Sequence, residues 1–312
     1  LSALHDKYRP SEYTEVYGHE DIVRALQGMI EDDSSHSYVL AGPSGTGKTT
    51  LARIAAKQLG AEPSAIVEVA AAVYSGVESM RELISMAQYK PLDSEVLVYI
   101  LDEAQRLSTP AWEALLKIVE EPPAHVYWFF CTTEIGKIPR TIMTRSVQLT
   151  LRELDVDMLC QLVEDIAGFE GINLPEGVAS MIADESAGSP RQALSFLATC
   201  AKATTREEAS ELLTSAQGSD TVRKLCQMLA DNGRGGWKRA MSLVAEIDED
   251  PESTRIIVTR YMAKAAMGAN GDQQACYFLS LLEAFSQPYN RSDGKAPLIR
   301  SIGQVLFAGG GQ

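Results

Sequence analysis

Short apolar, β-branched runs alternate with amphipathic stretches through the first half of the chain. The runs at 38–41, 66–69, 96–101, 126–131 and 147–149 fit a parallel sheet covered on both faces. Between them, apolar residues recur at three- and four-residue spacing over 21–31, 49–59, 77–88 and 110–120, predicting helices, the last closed by Pro122 and Pro123. Five strands with intervening helices predict one α/β domain over residues 1–150. After Thr150 the strand pattern stops and helical periodicity takes over. Helices are expected at 155–169, 175–186 and 190–203, with a fourth at 206–214, making a small domain over 151–216. Further helices at 220–230, 237–247, 253–267, 273–286 and 297–307 predict an all-α bundle over 217–312. The Gly-rich run 231–236 and the stretch 248–253 separate these helices, and Gly309 to Gly311 read as a frayed tail.

With 312 residues, 45% hydrophobic and 22% charged, the chain has enough material for two or three cores. No apolar stretch approaches the roughly 20 residues of a membrane span, and the N-terminus has no secretory pattern, so the expectation is a cytosolic protein. The net charge of −14 is shared evenly, −7 in residues 1–150 and −7 in the remainder. That excludes a protein that coats nucleic acid, because phosphate binding depends on Lys and Arg, and it confines any DNA contact to a local patch. Cys131, Cys160, Cys200, Cys226 and Cys276 are widely spaced and read as reduced core thiols. His5, His19, His36 and His125 are isolated, so no zinc site is expected.

The chemistry concentrates after the first strand. Gly42-Pro43-Ser44-Gly45-Thr46-Gly47-Lys48-Thr49 fills the pattern G-x-x-x-x-G-K-S/T, and Thr50 continues it into a helix. The glycines let backbone N–H groups converge on a β-phosphate, Lys48 reaches β and γ oxygens, and the Thr49 hydroxyl suits Mg²⁺. The alternative, an ordinary glycine-rich turn, does not require the lysine.

Asp102 and Glu103 follow the strand at 96–101, where ligands of open α/β sheets bind. Asp102 reads as a Mg²⁺ ligand, and Glu103 as the base that deprotonates water for γ-phosphate hydrolysis. The alternative is an acidic surface turn. Thr133, ending the strand at 126–131, is positioned either to hold that water or simply to finish the strand. Arg145 precedes the last strand and reads either as a surface arginine or as a residue reaching a neighbouring subunit's nucleotide. Ser189 and Pro190 begin a helix as N-cap and first-turn proline, so Arg191 points back either to solvent or to a γ-phosphate.

Taken together, these motifs resemble the AAA+ ATPases, and within them the ATPase subunits of sliding-clamp loaders. The likeness rests on Lys7-Tyr8-Arg9-Pro10 with Val16-Tyr17-Gly18-His19-Glu20, on the phosphate loop, on Ala114 to Lys117 with Glu120-Glu121-Pro122-Pro123, and on Gly188 to Leu194. It spans about residues 6–215 and is nearest the bacterial gamma/tau subunit and the small subunits of replication factor C.

The resemblance implies an AAA+ nucleotide-binding domain with a five-stranded parallel sheet, then a helical lid and an all-α collar. It implies ATP and Mg²⁺, with Tyr8, Arg9 and Val16 at the adenine and ribose. Thr133 would be sensor 1, Arg191 sensor 2, and Arg145 an arginine finger acting in trans. Thr144-Arg145-Ser146 stands where the family has Ser-Arg-Cys. The implied partners are further loader subunits, alike or different, a sliding clamp and primer-template DNA, in a bacterial or phage-infected cytoplasm. The bacterial zinc module is missing between Gln58 and Pro63, which points to a phage-type or streamlined loader. Arg81 matches a DNA-facing helix of the family, or else pairs with Glu78 on its own surface. The alternatives are another AAA+ remodeller, such as a helicase loader or branch-migration motor, and a structural subunit that never hydrolyses ATP.

Overall fold

The computed structural model describes residues 3–216, 220–231, 236–247, 250–269, 271–289 and 294–308. Most of the Gly-rich run at 231–236, part of the stretch at 248–253 and the glycine tail at 309–312 lie outside the described residues. Two compact units divide the chain, Leu1–Lys202 and Ala203–Gln312.

In the first unit a parallel sheet is built from β1 (Ser37–Ala41), β2 (Ile66–Ala70), β3 (Leu97–Asp102), β4 (Val126–Thr132) and β5 (Val147–Thr150). The spatial order is β2-β3-β4-β1-β5, with Tyr38 opposite Phe129, Leu101 opposite Phe130 and Ala41 opposite Thr132. The three central strands β1, β3 and β4 are almost wholly buried, whereas β2 and β5 at the edges are only partly so. That difference explains why the central runs are continuous in apolar residues and the edge runs are not. Trp128 stacks on Tyr99 with ring centroids 4.4 Å apart in one face of the core, and Tyr38 on Phe129 at 4.9 Å in the other.

Helices α1 (Leu4–Lys7), α2 (Glu20–Glu31), α3 (Lys48–Gln58), α4 (Val77–Met86), α5 (Thr109–Glu120) and α6 (Arg140–Met143) accompany the sheet. α1 and α6, each one turn long, have no counterpart in the sequence reading, because four residues are too few to display a helical period. Ser108 caps α5 by accepting from the Ala111 N–H, with Pro110 in its first turn. α7 (Val156–Glu170), α8 (Val178–Glu185) and α9 (Pro190–Cys200) complete the unit. Asp155 caps α7 by accepting from Met158 N–H at 2.8 Å, and Gly171 ends it in the left-handed conformation.

The second unit holds α10 (Arg206–Ala216), α11 (Asp220–Ala230), α12 (Gly236–Glu246), α13 (Pro251–Met267), α14 (Asp272–Ala284) and α15 (Ala296–Ala308). Val222, Leu225, Val258, Met262, Phe278, Phe285, Leu298 and Ile302 form its core. The expectation of core thiols holds for Cys131, Cys200 and Cys226, while Cys160 is half-buried and Cys276 exposed. The five-stranded α/β domain followed by helices is the architecture read from the sequence.

Candidate functional site

The phosphate loop leaves the carboxyl end of β1. Gly42 donates its N–H to the Thr132 carbonyl at 3.1 Å and has φ +149°, and a β-carbon there would lie 2.5 Å from the Leu151 carbonyl oxygen. Packing by itself therefore requires glycine at this corner. Gly42→Ala is expected to destabilise the first unit by about 1–3 kcal/mol, read as a lower urea midpoint; an unchanged midpoint would show that the corner relaxes freely.

Lys48 opens α3 and is only 6% exposed, yet its ammonium donates to the carbonyls of Gly42 at 2.9 Å and Pro43 at 2.7 Å. Burial pushes its pKa down and the Arg191 charge adds to this, while Cys131, Glu103 and Asp102 oppose it. A buried ammonium held by carbonyls alone is poised to exchange them for an anion. The Thr46 hydroxyl braces the loop by donating to the Pro43 carbonyl at 2.9 Å.

β3 carries Asp102 to the same edge, and the Thr49 hydroxyl donates to Asp102 Oδ2 at 3.1 Å. A hydroxyl and a carboxylate converging beside a phosphate loop are hard oxygen donors that fit Mg²⁺, which takes one or two protein ligands and leaves its remaining positions to phosphate and water. Among the described residues there is no cluster of three or more His, Cys, Asp or Glu that would hold another metal. Glu103 follows in the left-handed conformation, φ +54° and ψ +41°. Its carboxylate accepts from Gln105, whose side-chain amide also donates to the Thr133 hydroxyl at 2.8 Å.

The start of α9 closes on the loop from the helical side. Ser189 caps it, accepting from Gln192 N–H at 3.3 Å, with Pro190 in the first turn as read from the sequence. A β-carbon on Gly45 would lie 2.2 Å from the Ser189 hydroxyl and 3.3 Å from Arg191 Cβ, so Gly45 is where this helix meets the phosphate loop. A cleft of about 640 Å³ results, lined by Gly45 through Leu51, Asp102, Glu103 and Arg191 and also by Tyr8, Arg9 and Val16. It brings together most of the residues singled out from the sequence.

Tyr17, Leu162, Ile166, Phe169 and Leu194 line it as well and were missed. Phe169 stacks on Tyr8 with centroids 6.3 Å apart, and Tyr17 donates to Asp165 at 2.6 Å. Leu162, Ile166 and Phe169 carry no local signal: on α7 they read as ordinary positions of an amphipathic helix. Gln105 was missed too, although its place two residues beyond the acidic pair is a usable sign.

Some candidates lie elsewhere. Gly42 and Pro43 contribute through their carbonyls to Lys48, and Thr133 connects through Gln105. Neither Arg145 nor Arg81 lines the cleft. Arg145 is tied to the Glu120 carboxylate and the Thr141 carbonyl, both at 2.9 Å. Arg81 pairs with Glu78 at 2.6 Å in an exposed ion pair, the surface alternative weighed for it.

Comparison with known proteins bears out the family likeness. The family described as DNA polymerase III, delta subunit, matches residues 66–155. The chain is 36% identical over 219 residues to the DNA polymerase III subunit gamma/tau of Mycobacterium bovis, covering 62% of this chain and 38% of that protein. It is 31% identical over 299 residues to the DNA polymerase III subunit tau of Salmonella typhimurium, covering 88% and 44%. To the tau subunit of Bacillus subtilis it is 30% identical over 274 residues, covering 80% and 49%. The chain thus spans half or less of the relatives it matches. Among solved structures, the RuvB Holliday junction branch migration motor of Thermotoga maritima matches with TM-score 0.59 and 22% identity, covering 83% of this chain and 91% of that one. At that identity the likeness shows the fold alone. The fold is that of an AAA+ chain, and the sequence is similar to clamp-loader AAA+ subunits.

Proposed function

We propose that this AAA+ chain is an ATP-hydrolysing motor subunit of a sliding-clamp loader, opening a ring-shaped clamp and placing it on primer-template DNA. The observation that carries the reading is the convergence of Lys48, Thr49, Asp102, Glu103 and Arg191 in one cleft, on a chain similar to gamma/tau subunits. ATP and Mg²⁺ are the cofactors the cleft suits. Bound Mg²⁺ would be held by Thr49 and Asp102 and would supply charge neutralisation for the phosphates.

This chain's own groups do the rest. Gly45, Thr46 and Gly47 present backbone N–H groups to the β-phosphate, as Thr49 and Thr50 do at the start of α3. Lys48 gives up its carbonyl partners to hold β and γ oxygens. Glu103 takes the proton of the attacking water, and the Thr133 hydroxyl orients it. Arg191, at the start of α9, reports the γ-phosphate to residues 151–216, which act as a lid. Tyr8, Arg9 and Val16 hold the base and ribose. Arg145 serves the nucleotide of a neighbouring subunit, so the working form is an oligomer, with 217–312 as its collar. Arg81 remains a candidate DNA contact once its pair with Glu78 opens; an exposed pair of that kind is worth only about 0–1 kcal/mol. The setting is a bacterial or phage-infected cytoplasm.

The test is ATP turnover by the full chain with candidate partner subunits, with and without clamp and primer-template DNA. A several-fold rise that needs both clamp and DNA is expected. Stimulation by DNA that ignores the clamp would favour another AAA+ remodeller, and no turnover in any assembly would favour a structural subunit.

A further inference from the structure

We propose that Gln105 is a positioning residue that clasps the Glu103 carboxylate to the Thr133 hydroxyl, so that the base and the sensing hydroxyl are presented to water as one unit. The inference rests on the reading of Glu103 as the base for hydrolysis. Gln105 sits on the single turn Ala104–Arg106 that leaves β3. Its amide nitrogen donates to Glu103 Oε2 and to Thr133 Oγ1 at 2.8 Å, and its amide oxygen accepts from Thr132 Oγ1 at 2.8 Å.

The orientation of that amide follows from chemistry. An ionised carboxylate only accepts, so the NH₂ must face Glu103, and the carbonyl is left to accept the hydrogen bond that the Thr132 hydroxyl donates. Thr132 is itself fixed: it is fully buried at the end of β4, and its hydroxyl oxygen accepts from the Glu134 N–H at 3.0 Å. Both N–H donors of the Gln105 side chain are therefore committed, one to each functional group, and its oxygen anchors to a buried hydroxyl on the neighbouring strand.

The clasp has a reason to exist. Glu103 sits at φ +54°, a conformation uncommon for residues other than glycine. A carboxylate on such a corner projects from β3 with no other side-chain donor than Gln105 among its described hydrogen bonds. Thr133 directly follows the end of β4, reached through a separate crossover. Without Gln105, no hydrogen bond among the described residues joins the two side chains, and their separation would vary with every movement of the β3 and β4 ends. General-base catalysis depends on hydrogen-bond reach to the abstracted proton, so the loss should fall on turnover rather than on binding.

Gln105→Leu keeps the size and removes the amide; Gln105→Glu keeps an acceptor for Thr132 but sets a second carboxylate against Glu103. Both are to be assayed in the assembly in which the unaltered chain hydrolyses ATP. Expected are a fall in kcat of roughly 10- to 100-fold, with KM and the affinity for a non-hydrolysable ATP analogue within about twofold of the parent. In a Glu103→Gln background, Gln105→Leu should cost less than about twofold more under single turnover, because residues acting through one group are not additive.

An unchanged kcat in both variants overturns the clasp, as does an equal loss in both backgrounds or a parallel loss of analogue affinity, the mark of a structural role. If Leu prevents folding, the Glu variant carries the test. Slow Glu103→Gln with normal Gln105 variants sinks the clasp alone, whereas Glu103→Gln at parental turnover removes the base assignment beneath it.

Discussion

Arg145→Ala is expected to leave ATP binding intact and to lower turnover in the assembled complex by about 10³- to 10⁵-fold, the range for loss of an arginine that stabilises a transferring phosphoryl group. Arg145 sits just beyond the end of α6, about a third exposed, and takes no part in its own chain's cleft. Whatever it does for hydrolysis it must therefore do for a neighbour. Its present partners are weak competitors. The ion pair with Glu120 is half in solvent, and pairs of that kind contribute about 0–1 kcal/mol, which is small beside the several kcal/mol that a 10³-fold rate effect represents. Glu120 thus parks the guanidinium at little cost to its redeployment. Arg145→Lys keeps the charge and loses the planar fork, so it should recover only part of the rate. Turnover by Arg145→Ala equal to the parent, measured in the complete assembly, would remove the trans role and with it the need for an oligomer.

Lys48→Ala is expected to weaken ATP binding by roughly 30- to 5,000-fold, the equivalent of about 2–5 kcal/mol for truncating one member of a buried hydrogen-bonded charge pair. The measurement is ATP-analogue titration of the purified full chain. The side chain is 6% exposed and its pKa is pushed down by burial, so the phosphate that meets it finds an ammonium with little competing water. Folding should suffer less than binding, because the bonds it surrenders are to the Gly42 and Pro43 carbonyls of the same loop. Nucleotide affinity within threefold of the parent would mean that the cleft is not a triphosphate cradle.

Much of this was legible in the linear order of residues. The candidate phosphate loop is a contiguous pattern of glycines and a lysine, so spacing alone was enough to propose it. β3 and β4 announced themselves as unbroken apolar runs because they are buried on both faces. Ser189 and Pro190 marked the start of α9 through capping, which is decided within one turn of chain. Less visible were one-turn elements such as α6, too short to show a period, and Phe169, whose role depends on a tyrosine far earlier in the chain. Gln105 escaped notice because an amide declares no chemistry until its partners are known.

The local code therefore settled which segments become strand or helix, and it singled out Gly42 to Thr49 as the candidate phosphate loop, since those readings depend on burial periodicity and on turn chemistry over a few residues. It left undecided the order β2-β3-β4-β1-β5, the meeting of Thr49 with Asp102, the contact of Ser189 with Gly45 and the bridge from Glu103 through Gln105 to Thr133. Each of these joins residues from separate elements, so its geometry exists only after crossovers have set the strands side by side and the helices have packed. Hydrogen bonding needs heavy atoms within about 3.5 Å, and no sequence spacing guarantees that between segments free to choose other neighbours.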